Sequence, residues 1–237
     1  MNSLGIDACR MGWCVIGEIN SNLVWGCYKS INEVEQAFPA VETILIDIPI
    51  GLSSLKFERT IDIKARQYLK NRKSSIFSPP CREAVYTNPY QAALKLNRQV
   101  IGKGMSIQAY NLSPKIKEID EWLDSKPEHI RVFEAHPELC FKSLNKTIDL
   151  QFSKHDKAGV IERQEVLFAY DVKLLPIYKT LMKSYKRSEV KPDDILDAMS
   201  LFATSHVEGR LLYLQDENSI DETGKSVGMV YGNSGLN

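Results

Sequence analysis

Apolar and polar positions divide the chain into a strand-rich start and a helix-rich remainder. Leu4 to Ala8 is short and mostly apolar, and Gly12 to Ile19 and Leu23 to Tyr28 follow it. Ser21 and Asn22 separate the last two runs, which is a hairpin signal. Ser30 to Phe38 predicts a short helix, with Ser30 as N-cap and Glu33 three residues on as its capping-box partner. Thr43 to Ile48 is a continuous apolar run too short for a helix, stopped by Pro49-Ile50-Gly51, and predicts a buried central strand.

From about residue 53 to 127 the pattern becomes helical and charged. Glu58 to Arg72, Asn88 to Val100 and Ser106 to Trp122 predict helices, with Lys73 to Pro80 as a loop. Strand character returns at Ile130 to Ala135. Pro137 opens a helix through about Leu144, since proline is tolerated at the first helical position. Further helices are expected at Lys157 to Tyr170 and at Asp193 to Arg210, and a short strand at Gly228 to Tyr231 in a Gly-rich tail. The order is that of a mixed α/β fold, one domain over 1–237 with a helical insertion at 53–127.

Composition is that of an ordinary globular chain, 43% hydrophobic and 25% charged. Thirty basic residues balance thirty acidic ones, which argues against nonspecific coating of nucleic acid but leaves room for a local basic groove. The five cysteines are scattered with no CxxC pair, which fits a reducing cytoplasm rather than a disulfide framework. No leader-like segment opens the chain, and no apolar run approaches the roughly 18 residues that span a bilayer. A cytoplasmic protein without a membrane partner is expected.

The chemistry lies in the acids. Asp7 sits between Ile6 and Ala8, and Asp47 within the apolar run Ile44 to Ile48. Burying an unpaired carboxylate costs several kcal/mol, so each should meet an exposed strand end, a cation or a metal. In KPDDILDAMSLFATSH, Asp193 and Asp194 fall in a first helical turn, where the helix dipole alone accounts for them. Asp197 shares their arc, and a bare amphipathic reading leaves all three on a solvated face. In RVFEAHPELCF, Glu134 ends a strand and His136 precedes the helix-opening Pro137. Glu138 lies in the first turn, where dipole complementarity explains it. Strand ends are where active sites of α/β folds gather. Arg82, Lys154 and Arg163 are candidate phosphate contacts, with a solvated face as the plain alternative. There is no P-loop, GxGxxG, GxSxG or HExxH.

GIDACRMGW, IDIPIGL, SIFSPPCREA, FEAHPELCF and DDILDA occur in that order. Together they resemble the family catalogued as domain of unknown function 429, over roughly Leu4 to Gly209. That family is described as predicted nucleases of the RNase H fold. The resemblance implies an RNase H-like five-stranded mixed sheet, its first three strands antiparallel, flanked by helices, with the helical insertion after the fourth strand. It implies a carboxylate centre of Asp7, Asp47, Asp194 and Asp197; hard oxygen ligands suit Mg²⁺ or Mn²⁺, so Asp7 is expected to bridge two ions, Asp47 and Asp197 to hold one each, and Asp194 or Glu134 to complete the shell. Glu134 and His136 match the motif particular to the family, and Arg82 its SerProProCysArg segment. Arg82, His136, Lys154 and Arg163 are then expected on the substrate, a nucleic acid or another phosphodiester. By analogy of layout the nearest understood relatives are Holliday-junction resolvases, which often dimerise, so a homodimer is among the expected assemblies. Two other readings are a non-catalytic nucleic-acid or nucleotide binding protein and, ranked last, a phosphotransferase of the actin and sugar-kinase type.

Overall fold

The computed structural model describes residues 2–206 and 211–233. A seven-stranded mixed sheet runs through the molecule in the order β3-β2-β1-β4-β5-β7-β6. Its strands are β1 (Ser3–Cys9), β2 (Gly12–Ile19), β3 (Asn22–Tyr28), β4 (Thr43–Ile46), β5 (Arg131–Ala135), β6 (Leu212–Ile220) and β7 (Ser226–Tyr231). The first three are antiparallel neighbours, while β1, β4, β5 and β7 run parallel in sequence of contact. The hairpin turn is Asn20-Ser21, one residue earlier than the sequence suggests. Both residues have positive φ (51° and 62°), which matches the right-handed strand twist.

The helices are α1 (Ile31–Ala37), α2 (Ile61–Tyr68), α3 (Arg82–Val85), α4 (Tyr90–Ile101), α5 (Ile107–Trp122), α6 (Pro137–Leu144), α7 (Lys157–Tyr170), α8 (Leu174–Ser184) and α9 (Pro192–Ser205). Ser30 caps α1 as expected, accepting from the Glu33 N–H, but the Glu33 carboxylate reaches back to Lys29 N–H at 2.8 Å. Helix α2 is shorter than the charge pattern implied. The expected last four residues of α9, 207–210, lie outside the described residues.

Helices α3 and α8 and strand β6 have no counterpart in the sequence reading, and β7 is longer than expected. Helix α8 was hidden by Pro176, which reads as a breaker but stands in the first turn, where its missing N–H costs nothing. Its Leu174, Ile177 and Leu181 are buried at helical spacing. The expected tail strand is the longer β7, and β6 pairs with it in an antiparallel hairpin with a bulge. Among the described residues the sheet has seven strands, β7 and β6 standing beyond the five expected.

Each face of the sheet carries its own core. Leu4, Ile6, Ile44 and Ile46 point to the face covered by α1 and α5, where Ile31, Val34, Ile116 and Trp122 close over them. The opposite face is covered by α9, with α6, α7 and α8 packed around it. Helix α9 has no solvated side beyond its first turn, since Ile195 to Ser205 are all buried. It lies directly on β1 because residue 5 is glycine: a Cβ there would stand 2.2 Å from Phe202 N and 2.4 Å from Ala198 O. No helix among the described residues is long and apolar enough to cross a membrane.

Candidate active site

Strand alternation decides which acids meet. Ser3, Gly5 and Asp7 occupy alternate positions of β1, so Asp7 shares with Gly5 the face on which α9 lies. Strand β4 pairs with β1 in parallel, Ile6 opposite Ile46, and the Asp47 N–H continues the ladder to Ile6 O at 3.0 Å. The next step of that register sets Asp47 beside Asp7, on the same face. Helix α9 brings Asp197, 1% exposed, down onto the same place. The acids gather at the C-terminal ends of β1 and β4, the end at which open α/β sheets hold ligands.

The electrostatics follow from burial. The Asp7 carboxyl is held well above the ordinary carboxylate range, first by burial and then by Asp47 and Asp197. Asp47 is pushed up to about 8 by burial, with Lys154 opposing and Asp197 adding. The compensating cation is Lys154, from the segment between α6 and α7, whose Nζ donates to Asp197 Oδ2 at 2.7 Å. Asp197 above all, then Asp7 and Asp47, hold that ammonium strongly in its charged form. Asp197 Oδ1 is buried without a hydrogen-bond partner. Asp194 stands at the edge of the group. Its Oδ2 accepts from Lys191 N–H at 2.8 Å, as an N-terminal cap does, and burial pushes its carboxyl up to about 6.

The group borders a cleft of about 1150 Å³. The core supplies one wall with Asp47, His136, Glu138, Lys154 and Asp197. The segment 53–127 supplies the other, through Arg72, Ser74, Ser75, Phe77 and the first half of α5. His136 caps α6, its Nδ1 accepting from Glu138 N–H at 3.2 Å. Burial first, and Lys154 next, depress its pKa to about 3, so it is a neutral imidazole. Arg10 and Lys191 stand exposed at the rim.

Three of the expected residues lie elsewhere. Glu134 pairs with Ile46, not with Asp47, so alternation turns it to the other face of the sheet. There Arg59 takes both its oxygens, Nη1 to Oε2 at 2.9 Å and Nη2 to Oε1 at 2.5 Å, and Ile50 N–H adds a bond at 2.7 Å. Arg82 binds Asp120 and Asp221 and ties α3 and α5 to the β6–β7 turn, away from the cleft. Arg163 is fully buried under Glu138 and donates to it at 2.5 Å. Neither arginine is free for a phosphate. Conversely, Glu138 does reach the cleft, although its place in a first helical turn gave a sufficient local reason for it. Arg59, whose bonds order the loop after β4, carried no signal in the sequence beyond its charge.

The donor set suits a hard divalent cation: all carboxylate oxygens, an excess of acids over the single lysine, and a partnerless buried oxygen on Asp197. Among the described residues no three such side chains already stand at metal-binding geometry, and the cation on Asp197 is the Lys154 ammonium. No curated protein and no solved structure matches the chain. A family model does, over residues 5–219. The chain, with its acids spread over β1, β4 and α9 within that span, belongs to the family described as protein of unknown function DUF429.

Proposed function

We propose that this protein is a metal-dependent phosphodiester hydrolase, a nuclease on an RNase H-like sheet. One observation carries the reading: Asp7, Asp47 and Asp197, from β1, β4 and α9, share one buried site with Lys154. The strand order β3-β2-β1-β4-β5, antiparallel then parallel, supports the fold part of the reading, with β7 and β6 as additions at one edge.

Asp7, Asp47 and Asp197 would hold Mg²⁺ or Mn²⁺, with Asp194 near enough to Asp7 to add charge. A bound ion supplies an acidified water as nucleophile and neutralises charge on the leaving oxygen. The protein's own part is to gather the acids in a site poor in water, where each raises the other's cost of ionisation and so the gain from a cation. Lys154 offsets one negative charge and stands where a phosphate oxygen could meet it. Arg10, Arg72 and Lys191 along the cleft give a polyanion its path, and the cleft volume fits a nucleic-acid strand better than a lone phosphate.

The test is a crystal soaked in Mn²⁺ and read by anomalous diffraction, followed by a panel of DNA and RNA substrates with Asp7→Asn as control. The expected result is a peak between Asp7, Asp47 and Asp197, with Mn²⁺-dependent cleavage lost in the variant. Undiminished metal-dependent cleavage by Asp7→Asn would show the assignment to be wrong. A second reading has an observation of its own. The Lys154–Asp197 pair partly balances the site without any metal, as in a nucleic-acid binding protein that lacks chemistry. Equal nucleic-acid affinity with and without Mg²⁺, and no turnover, would select it.

A further inference from the structure

Glu138 has one oxygen spent and one unspent. It lies in the first turn of α6, is 5% exposed, and borders the cleft that Asp47, Lys154 and Asp197 also border. Its Oε1 accepts from Arg163 Nη2 at 2.5 Å and stands 3.6 Å from Arg72 Nε. Its Oε2 is buried with no hydrogen-bond partner. Asp197 Oδ1, across on α9, is in the same condition.

A counter-ion for Arg163 would not need this arrangement. Arginine pairs with carboxylates most strongly through two parallel N–H bonds. Here Arg163 Nε has no partner and Glu138 Oε2 has none, so the two do not meet. Arg163 instead spends Nη1 on the Phe152 and Gly159 carbonyls, which fixes the guanidinium and with it the carboxylate. A buried carboxylate oxygen left unpaired is costly, and both acids that carry one border the same cleft. Both acids act on their neighbours. Burial raises the Glu138 carboxyl, Arg163 opposes, and Asp197 adds, while Asp47 in turn feels Glu138.

We propose that Glu138 would serve, through Oε2 and alongside Asp197, as a further ligand of the divalent cation in the candidate centre, in the role that the sequence resemblance offered to Glu134. This rests on the metal-dependent reading above. The difference between the two glutamates is one of faces: Glu134 is turned across the sheet to Arg59, whereas α6 packs against α9 on the side of Asp7 and Asp47.

The experiment is Mn²⁺ binding to the full chain without substrate, by paramagnetic resonance of the free ion, for the parent, Glu138→Gln and the double variant Glu138→Gln/Arg163→Met. The double variant removes the buried pair together, which spares the fold the cost of an uncompensated arginine. The expected result is a Kd raised about tenfold or more in both variants, on the scale of ligand-sphere changes. A folded variant that binds Mn²⁺ as the parent does overturns the proposal and leaves Glu138 as a counter-ion alone. A parent that binds no Mn²⁺ overturns the metal reading and this inference with it. The Mn²⁺-soaked parent crystal decides without any variant: a peak in bonding contact with Glu138 supports the proposal. A peak held by Asp7 and Asp47 with Glu138 out of reach sinks it while sparing the metal reading.

Discussion

The two faces of the parallel strands each bury a cluster of charges, and they solve the cost in opposite ways. On the face under α1 and α5, Arg59 sits between Glu134 and Asp62. Both carboxylates have each oxygen bonded, and the guanidinium also donates to the Ile50 and Gly51 carbonyls. On the face under α9, Asp197 pairs with Lys154 and Glu138 with the buried Arg163, and among the described residues one buried oxygen of each acid, Asp197 Oδ1 and Glu138 Oε2, remains without a partner. The first cluster has nothing left to offer a ligand. The second keeps unspent acceptors and raised carboxyl pKa values beside a cleft, the combination that marks a site.

Removing a partner on the satisfied face should have the largest effect on stability. Arg59→Met strands Glu134 and Asp62 as buried, uncompensated charges, and a loss of about 3–5 kcal/mol is expected. Urea titration measures it. A loss under about 1 kcal/mol would mean that the cluster is not the fold's ionic anchor.

A smaller effect, coupling fold to site, should come from Gly5→Ala. The new Cβ meets the α9 backbone at Phe202 and Ala198, which cannot yield as a side chain tip can. The expected cost is about 1–3 kcal/mol, with weaker Mn²⁺ binding as Asp197 is lifted away from Asp7. Loss of stability with unchanged Mn²⁺ affinity would separate the helix seat from the site.

On the unsatisfied face the sign should reverse. Asp47 has a carboxyl near 8 in the folded chain against an ordinary 3.8. The folded form therefore keeps a proton that the unfolded form releases. Its contribution to stability is complete below about pH 4 and is lost as pH rises toward about 8. Asp47→Asn removes that slope and should be more stable than the parent at pH 8 in EDTA, by about 0.5–2 kcal/mol. Denaturation at pH 5 and pH 8 tests this. A parent whose stability does not fall over that interval, or a variant that falls equally, would contradict it.

Much of the architecture was legible because its signals are local. The Thr43 run, the Ser30 cap and Pro137 at the start of α6 each declare an element through backbone chemistry that needs no distant partner. Asp7 and Asp47 stood out for a similar reason, since a carboxylate in an apolar strand is costly wherever the strand goes. Helix α8 was legible in its spacing but masked by Pro176, and the second half of β6 is too polar to announce a strand.

By itself, then, the sequence determined the alternation of strands and helices, two of the buried acids, and the family. Only the tertiary structure decided which acids share a site. Along one strand, alternation says that neighbours face opposite ways, but not which face is which or what lies across from it. The register Ile6–Ile46–Glu134 settled that Asp47 joins Asp7 while Glu134 turns away to Arg59. The seat of α9 on Gly5 brought Asp197 down to them, and the packing of α6 against α9 added Glu138, whose local reason as a first-turn acid had concealed a second position in space.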